Sequence, residues 1–322
     1  MSSVFVTRAI PTVGISMLQE AGYSVDVNPH NRPLTHDELL HALAQKPYDA
    51  VLTLLTDTID QSVFDSAPTV KIFANYGIGF DHFDVAEGKR RGIFMTNTPG
   101  GGADRVAEHE WALILALACH IVDANAFVCS GAYTGWDPML FPGVSLANKV
   151  IGIVGAGRIG EQVARRASLG FCMKVVYFDV KPNEVLERDF SATRYESLDE
   201  LLVVADFVTV HVPLLSTTHH LLDARRLALM KPTAYLINTS RGAVIDEQAL
   251  VRALQEKKIA GAGLDVFEFE PTISPGLLQL DNVVVTPHIA SSTQESREEI
   301  ARLAASNIIA CLSGQRPPHN VY

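Results

Sequence analysis

The sequence is short of positive charge. Against 36 acidic residues stand only 26 lysines and arginines, a formal net charge of −10, and binding a nucleic-acid backbone needs clustered cations that this balance does not supply. Cysteine is scarce too. Cys119, Cys129, Cys172 and Cys311 are the only four, and none has the Cys-x-x-Cys spacing of a metal or redox site. Their apolar or helix-compatible surroundings predict buried, reduced thiols of a cytosolic protein. The opening Met1-Ser-Ser-Val-Phe-Val has neither the basic nor the apolar region of a secretory signal, and no apolar run is long enough to span a bilayer. A cytoplasmic protein without a membrane partner is therefore expected. The histidines also lack metal spacing: His219-His220 and the remaining histidines show none, and His109-Glu110 is not followed by the histidine of a His-Glu-x-x-His zinc site. No metal is expected. Internal repeats and low-complexity tracts are missing as well.

What remains is ordinary globular material, 48% hydrophobic and 19% charged, in a chain of 322 residues that exceeds one typical domain and predicts two lobes. Short apolar runs alternate with amphipathic stretches from the start. Val4–Ile10, Tyr23–Asn28, Asp49–Leu55, Lys71–Tyr76 and Ile93–Asn97 read as strands. Thr12–Ala21, Thr35–Gln45, Ser62–Ala67 and Val85–Arg91 read as the helices between them. This alternation predicts a parallel sheet wound by right-handed crossovers. Pro99-Gly-Gly-Gly102 ends the first lobe as a flexible break. A helical pattern then runs from about Ala103 to Ser130, so apolar around Trp111–Cys119 that it must be buried against other protein. After the irregular Gly131–Ala147 a second alternating unit follows. The last helix, Thr293–Leu312, has no strand partners left there and is expected to return to the first lobe.

The second unit opens on Val150-Ile-Gly-Ile-Val-Gly-Ala-Gly-Arg-Ile-Gly160 and continues to Val175-Val-Tyr-Phe-Asp179. In this order of strand, glycines, helix, strand and acid each part has a physical task. Gly155 permits the tight turn, Gly157 lets backbone approach a pyrophosphate, and Gly160 lets helix pack on strand. The helix beginning there turns unpaired N–H groups and a positive dipole end toward phosphates. Asp179 is placed to accept hydrogen bonds from a ribose 2′-hydroxyl and to repel a 2′-phosphate, which favours NAD over NADP, although Lys181 works the other way.

Three further islands each end a strand-like run: Asn238-Thr-Ser-Arg241-Gly242, Asp265-Val-Phe-Glu-Phe-Glu270-Pro271 and Thr286-Pro-His288. Ligands of a doubly wound sheet lie outside the carboxyl ends of its strands. Hydride transfer to a 2-keto acid requires an anchor for carboxylate and carbonyl, which a guanidinium fork supplies. It also requires an acid for the developing alkoxide, which suits histidine, and a neighbouring carboxylate stabilises the imidazolium. Taken singly, Arg241, Glu270 and His288 each have a plain structural explanation as a helix-entry cation, a surface acid and a loop histidine. Their order behind a dinucleotide site reverses that balance.

The chain resembles the D-isomer-specific 2-hydroxyacid dehydrogenases, and among them the glyoxylate/hydroxypyruvate reductases. The resemblance rests on Asn75-Tyr-Gly-Ile-Gly-Phe-Asp81, Thr96-Asn-Thr-Pro-Gly100, Val106-Ala-Glu108, Gly135-Trp-Asp-Pro138, Gly155–Gly160, Ser240-Arg-Gly242, Leu264-Asp-Val-Phe267 with Glu270-Pro271, and Thr286-Pro-His-Ile289. It implies an α/β fold of two lobes, a Rossmann-type doubly wound parallel sheet (103–288, NAD-binding) inserted into a flavodoxin-like substrate lobe (1–102 and 289–322). It implies further that Arg241 binds the substrate carboxylate and polarises the carbonyl, that His288 is the acid/base, and that Glu270 is its partner. Asp265 would hold the nicotinamide end with the Asn238–Thr239 backbone. The N–H groups of Arg158 and Ile159 would meet the pyrophosphate, Val212, Pro213 and Thr218 would line the adenosine side, and Val106 would also contact the cofactor. The backbone of Ile78 and Gly79 would grip the substrate carboxylate.

The related phosphite dehydrogenases share the Trp-x-Pro segment but carry lysine where Ile78 stands, which argues against phosphite here. Leu55 and the Trp136–Phe141 segment either shape the substrate pocket, the latter from a partner subunit, or pack as plain core or interface. Arg297 is either a second substrate cation or a helix-surface ion pair. The expectation is an NAD-dependent reductase of small 2-keto acids, working as a homodimer joined through 103–147. The alternative is a nucleotide-sensing, corepressor-like binding protein on the same scaffold.

Overall fold

The computed structural model describes residues 2–100 and 102–322, and Gly101, in the expected flexible break, lies outside them. The chain divides into two compact units, Met1–Gly102 with Ser292–Tyr322, and Ala103–Ser291.

The first unit is a five-stranded parallel sheet. Its elements are β1 (Ser3–Val6), α1 (Thr12–Glu20), β2 (Ser24–Val27), α2 (His36–Ala44), β3 (Ala50–Thr53), α3 (Gln61–Ser66), β4 (Ile72–Asn75), α4 (Val85–Arg91) and β5 (Phe94–Thr96), in the order β2-β1-β3-β4-β5. Several expected strands are shortened at their carboxyl ends. One buried carboxylate explains two of them: Asp57 accepts hydrogen bonds from the Thr7 hydroxyl just past β1 and from the Leu54 N–H just past β3. Both strands leave the ladder there to satisfy it, and burial raises the Asp57 carboxyl above its ordinary value. Helix starts carry their own signals. Thr35 and Glu38 cap each other's backbone in a capping box at α2, and Asp60 and Asp84 accept from first-turn N–H groups of α3 and α4. The C-terminal helix α12 (Gln294–Leu312) completes this unit. It packs on α1, where a Cβ on Gly14 would lie 3.0 Å from the Ala301 carbonyl oxygen, and covers one sheet face with Ile300, Ala304 and Ile308.

The second unit is a seven-stranded parallel sheet in the order β12-β11-β10-β9-β6-β7-β8. It comprises α5 (Ala103–Ala118), α6 (Ile121–Cys129), β6 (Val150–Val154), α7 (Arg158–Phe171), β7 (Lys174–Phe178), α8 (Glu184–Phe190), β8 (Thr193–Arg194), α9 (Leu198–Val204), β9 (Phe207–Val210), α10 (Ala224–Leu227), β10 (Tyr235–Asn238), α11 (Glu247–Gln255), β11 (Gly261–Leu264) and β12 (Val283–Val285). β9, β10 and β11 are buried along their whole length, as apolar strands of a parallel sheet covered on both faces should be. One face packs under α5 and α7 through Trp111, Ile114, Val163 and Ile237; the other under α9 and α11 through Leu201, Leu236 and Leu250.

Two expectations are corrected. The single helix predicted over 103–130 is two, α5 and α6, bent by 63°. His120 takes a left-handed φ of 52° between them, and the Val144 N–H caps the Ala118 carbonyl at 2.8 Å, ending α5. Nor is the apolar pattern buried throughout: α5 buries Trp111, Leu113, Ile114 and Leu117 but exposes Ala112, and α6 has no buried residue. Among the described residues no single helix is long and apolar enough to cross a membrane. The thiols are not all buried either. Cys119, Cys129 and Cys172 are exposed, and Cys311 is buried where α12 packs on the first unit's core.

Candidate active site

The glycine loop joins β6 to α7, and each glycine meets a distinct steric demand. Gly155 has a φ of 101°, and a Cβ there would sit 2.8 Å from the His211 carbonyl carbon. A Cβ on Gly160 would approach the Gly155 carbonyl oxygen to 2.5 Å, so this glycine sets the helix against the loop. At Gly157 the space is open, with no atom within 4 Å of a Cβ. Gly157 is also the N-cap of α7 and offers no side chain to the first-turn N–H groups. Open space above uncapped amides at a 14-residue helix is a cradle for an anionic group.

Asp179 follows β7 and is tied to the loop, since its Oδ2 accepts from the Ala156 N–H at 2.7 Å. Asn183 braces the same turn by donating to the Ala156 carbonyl at 2.7 Å and to Glu161 Oε1 at 2.8 Å. Sequence reasoning missed Asn183; its only signal is its place as N-cap of α8. Cationic groups also lie near this acid: Arg194 donates to the Asp179 carbonyl at 3.2 Å, and its charge is shared with Glu196 at 2.8 Å. Thr218 is occupied inside its own turn, donating to the Pro213 carbonyl at 2.6 Å and accepting from the Leu215 N–H at 2.8 Å. Val106 is buried on α5.

The other residues stand at the ends of three adjacent strands, β10, β11 and β12. Past β10, Asn238 shapes the turn with its side chain: its amide donates to the Arg241 carbonyl at 2.9 Å and its oxygen accepts from Ser240 N–H and hydroxyl. Arg241 Nη1 donates to the Ser240 carbonyl at 2.8 Å. Gly242 must be glycine, because a Cβ would fall 1.9 Å from the Phe267 carbonyl carbon beyond β11. Past β11, Glu270 accepts from the Phe267 N–H through Oε1, and its Oε2 lies 2.8 Å from His288 Nδ1. A proton on Nδ1 facing that carboxylate leaves Nε2 as the ring atom that gives or takes a proton. His288 has a left-handed φ of 54°, uncommon for a residue with a side chain.

Asp265 holds that conformation. Its carbonyl accepts from the His288 N–H at 2.8 Å, its Oδ1 from the Ile289 N–H and the Thr286 hydroxyl, and its Oδ2 from the Ala290 N–H at 2.7 Å. His109, on α5, hydrogen-bonds the same Thr286 hydroxyl at 2.9 Å and lies 3.5 Å from Asp265 Oδ1. Burial opposes the charge on Asp265, but His109, Thr286 and the two N–H groups outweigh it and hold the carboxyl below the usual range. The pairing of His109 with Thr286 and Asp265 was not legible in the sequence, since 177 residues separate His109 from Thr286. Thr239 donates to the buried Glu110, next along α5, at 3.1 Å.

In the first unit, the carbonyls of Gly77, Ile78 and Gly79 are all taken by side-chain amides, Asn75 holding the outer two and Asn97 the middle one at 2.7 Å. A turn whose carbonyls are held inward offers its N–H groups outward. Leu55 is exposed. The Arg297 carbonyl accepts from the Tyr76 hydroxyl at 2.7 Å, which fixes α12 to the segment after β4. Phe141 packs edge-on to Phe127 of α6 at 5.6 Å.

Residues 111–290 match the family model described as D-isomer specific 2-hydroxyacid dehydrogenase, NAD binding domain. The chain belongs to this family. It is 47% identical over 319 residues to a glyoxylate reductase of Pyrococcus furiosus, covering 98% of this chain and 94% of that one. A glyoxylate reductase of Thermococcus litoralis is 45% identical over 322 residues, covering 99% and 96%. Among solved structures, a Thermus thermophilus protein superposes with a TM-score of 0.93 at 39% identity, covering 99% of this chain and all of that one. The NADPH-dependent glyoxylate/hydroxypyruvate reductase of Sinorhizobium meliloti, solved with NADP and malonate, superposes at 0.86 with 29% identity, covering 99% and 96%.

Because Asp265 titrates below its unfolded value of about 3.9, its stabilising effect is complete above that pH and is lost as pH falls through the native value. Asp265→Asn should lower neutral-pH stability by about 1–3 kcal/mol and flatten the acid limb of stability against pH. Denaturant unfolding at a series of pH values measures both; an acid limb as steep as that of the parent would remove this role.

Proposed function

We propose that this dehydrogenase reduces small 2-keto acids, glyoxylate and hydroxypyruvate among them, to D-2-hydroxy acids with a reduced nicotinamide dinucleotide. The observation that carries the reading is the 2.8 Å pair of His288 Nδ1 and Glu270, with Arg241 at a neighbouring strand end in the unit that bears the glycine loop. The open, uncapped loop fits a pyrophosphate, so Arg158 and Ile159 would hold it through their N–H groups, and Asn238, Thr239 and Asp265 would face the nicotinamide end. Bound there, the dinucleotide supplies the hydride.

The protein's own groups do the rest. Arg241 pairs its planar fork with the substrate carboxylate and draws electron density from the carbonyl. In the first unit the Gly77–Gly79 turn has its carbonyls taken by Asn75 and Asn97, so the N–H groups of Ile78 and Gly79 would be left for a carboxylate, as the family resemblance implies. His288 Nε2 passes its proton to the developing alkoxide, and Glu270 stabilises the imidazolium before that transfer. Leu55 and Arg297 would set the size and charge of the substrate's surroundings.

NAD is the cofactor this reading favours, because the Asp179 carboxylate repels a 2′-phosphate. The chain would act as a homodimer joined through 103–147. In support, Ile121, Val122 and Val128 of α6 are 57%, 51% and 58% exposed, and Trp136 is 83% exposed. Apolar surface of this kind on one helix and the following segment marks an association surface.

Steady-state rates for a panel of 2-keto acids with NADH and with NADPH test the function directly. Glyoxylate or hydroxypyruvate turnover with NADH favoured is expected, and Asp179→Ser should narrow that preference. Tight NADH binding without turnover of any keto acid would replace the enzyme by a nucleotide sensor. His288→Gln should lower kcat by about 10²–10⁴-fold with NADH affinity intact, and Arg241→Ala should act mainly on KM. Full activity in the first variant, or an unchanged KM in the second, would remove the assigned role. Sedimentation equilibrium should give twice the chain mass, and Val122→Asp with Val128→Asp should shift it to the monomer; a monomeric parent would sink the dimer.

A further inference from the structure

The two adjacent histidines show no metal-binding spacing in sequence, yet folding brings them a third ligand. His219 and His220 follow the turn after β9, and Glu268 lies beyond β11; the candidate ligand atoms of all three fall within 4.8 Å of one another. His220 Nε2 is 2.7 Å from Glu268 Oε1, and the two imidazole rings stack with centroids 4.0 Å apart.

Each ligand is fixed by backbone rather than by chance contact. The His220 N–H donates to the Ala243 carbonyl at 2.8 Å, and the residue holds a left-handed φ of 49°. Two residues on, the Leu222 N–H donates to the Val244 carbonyl, so the segment is pinned on both sides of the histidine. The Glu268 N–H donates to Glu247 Oε2 at 2.9 Å, and Glu268 Oε2 accepts from the Glu247 N–H at 3.2 Å, a reciprocal clasp. With Oε2 so used, Oε1 is the oxygen turned to the histidines. The His219 N–H donates to the Leu215 carbonyl at 2.9 Å, and its side chain is exposed, so an ion could enter from solvent.

We propose that His219, His220 and Glu268 form a binding site for a divalent transition metal of the zinc class. Two imidazoles and one carboxylate are the donor set of three-ligand zinc sites, which leave further positions for water. The ion takes the place of the proton between His220 Nε2 and Glu268 Oε1, that proton passing to solvent or the ring taking its Nδ1–H tautomer. The pair widens from 2.7 Å to the roughly 3.3 Å that two bonds of about 2.0 Å at a tetrahedral angle require. Since Glu268 oxygen and imidazole nitrogen are borderline to hard donors without a thiolate, Zn²⁺, Co²⁺ and Ni²⁺ fit better than soft Cu(I), and imidazole disfavours Mg²⁺. An ion here ties the segment after β9 to the segment after β11.

The site uses none of the proposed catalytic trio, although Glu268 is two residues from Glu270, and its test reads metal binding rather than turnover, so it is independent of that reading. Co²⁺ is titrated into the chelator-treated full-length protein and followed by visible absorption, then displaced with Zn²⁺; calorimetry gives the stoichiometry. One ion per chain is expected, with the intense d–d bands of four- or five-coordinate cobalt lost on adding Zn²⁺. His219→Ala should weaken binding at least about tenfold and leave the protein's thermal unfolding in chelator unchanged. Glu268→Gln should weaken it as well. A lack of saturable binding at one equivalent overturns the proposal, as does equal affinity in His219→Ala and the parent.

Discussion

The carboxylate of Asp265 is the tie on which the catalytic end of the larger sheet depends. It stands one residue past β11 and takes up the Thr286 hydroxyl and the Ile289 and Ala290 N–H groups of the segment past β12. Those bonds keep His288 in a left-handed conformation that a residue with a side chain adopts only when its surroundings enforce it. The ring of His288 then meets Glu270, which is itself oriented by the Phe267 N–H. Take away the Asp265 charge and the chain of orientation from β11 to the imidazole loses its first member. The His109 contact on α5 extends that chain into the core of the unit.

An acidic protein must bind ligands that are themselves anionic, a keto acid and a dinucleotide. With a net charge of −10 the average field opposes them. On the proposed reading that field would be overcome locally, by the fixed amide dipoles at the uncapped start of α7 and by the guanidinium of Arg241. Backbone amides need no counter-ion and lose no side-chain freedom, so they bind anions without making the surface basic.

Where the order of residue types is itself the signal, the sequence was easy to read. The β-branched run before Gly155, the glycine spacing and the acid after β7 form one recognisable order, and the structure shows a steric cause for Gly155 and Gly160. The alternation of strands and helices was legible for the same reason, although the end of β1 at Thr7 was not, because the distant Asp57 takes its hydroxyl. The break between α5 and α6 has no composition signal: a histidine takes the left-handed conformation, and its carbonyl cap comes from Val144. The cluster at Glu268 was invisible since 48 residues separate it from His220. In each such case the deciding partner is remote in sequence and close in space.

The bond from the Ala156 N–H to Asp179 gives the acid after β7 two tasks at once. It is read as the selector between cofactors, yet it also latches the loop that would carry their phosphates. Exchanging it for a small or basic residue would release that latch together with the charge. Drift toward the phosphorylated cofactor would therefore have to supply a new acceptor for Ala156, or accept a looser loop, before the altered charge could improve binding. On that reading, nucleotide choice in this chain would be guarded by the loop's own architecture.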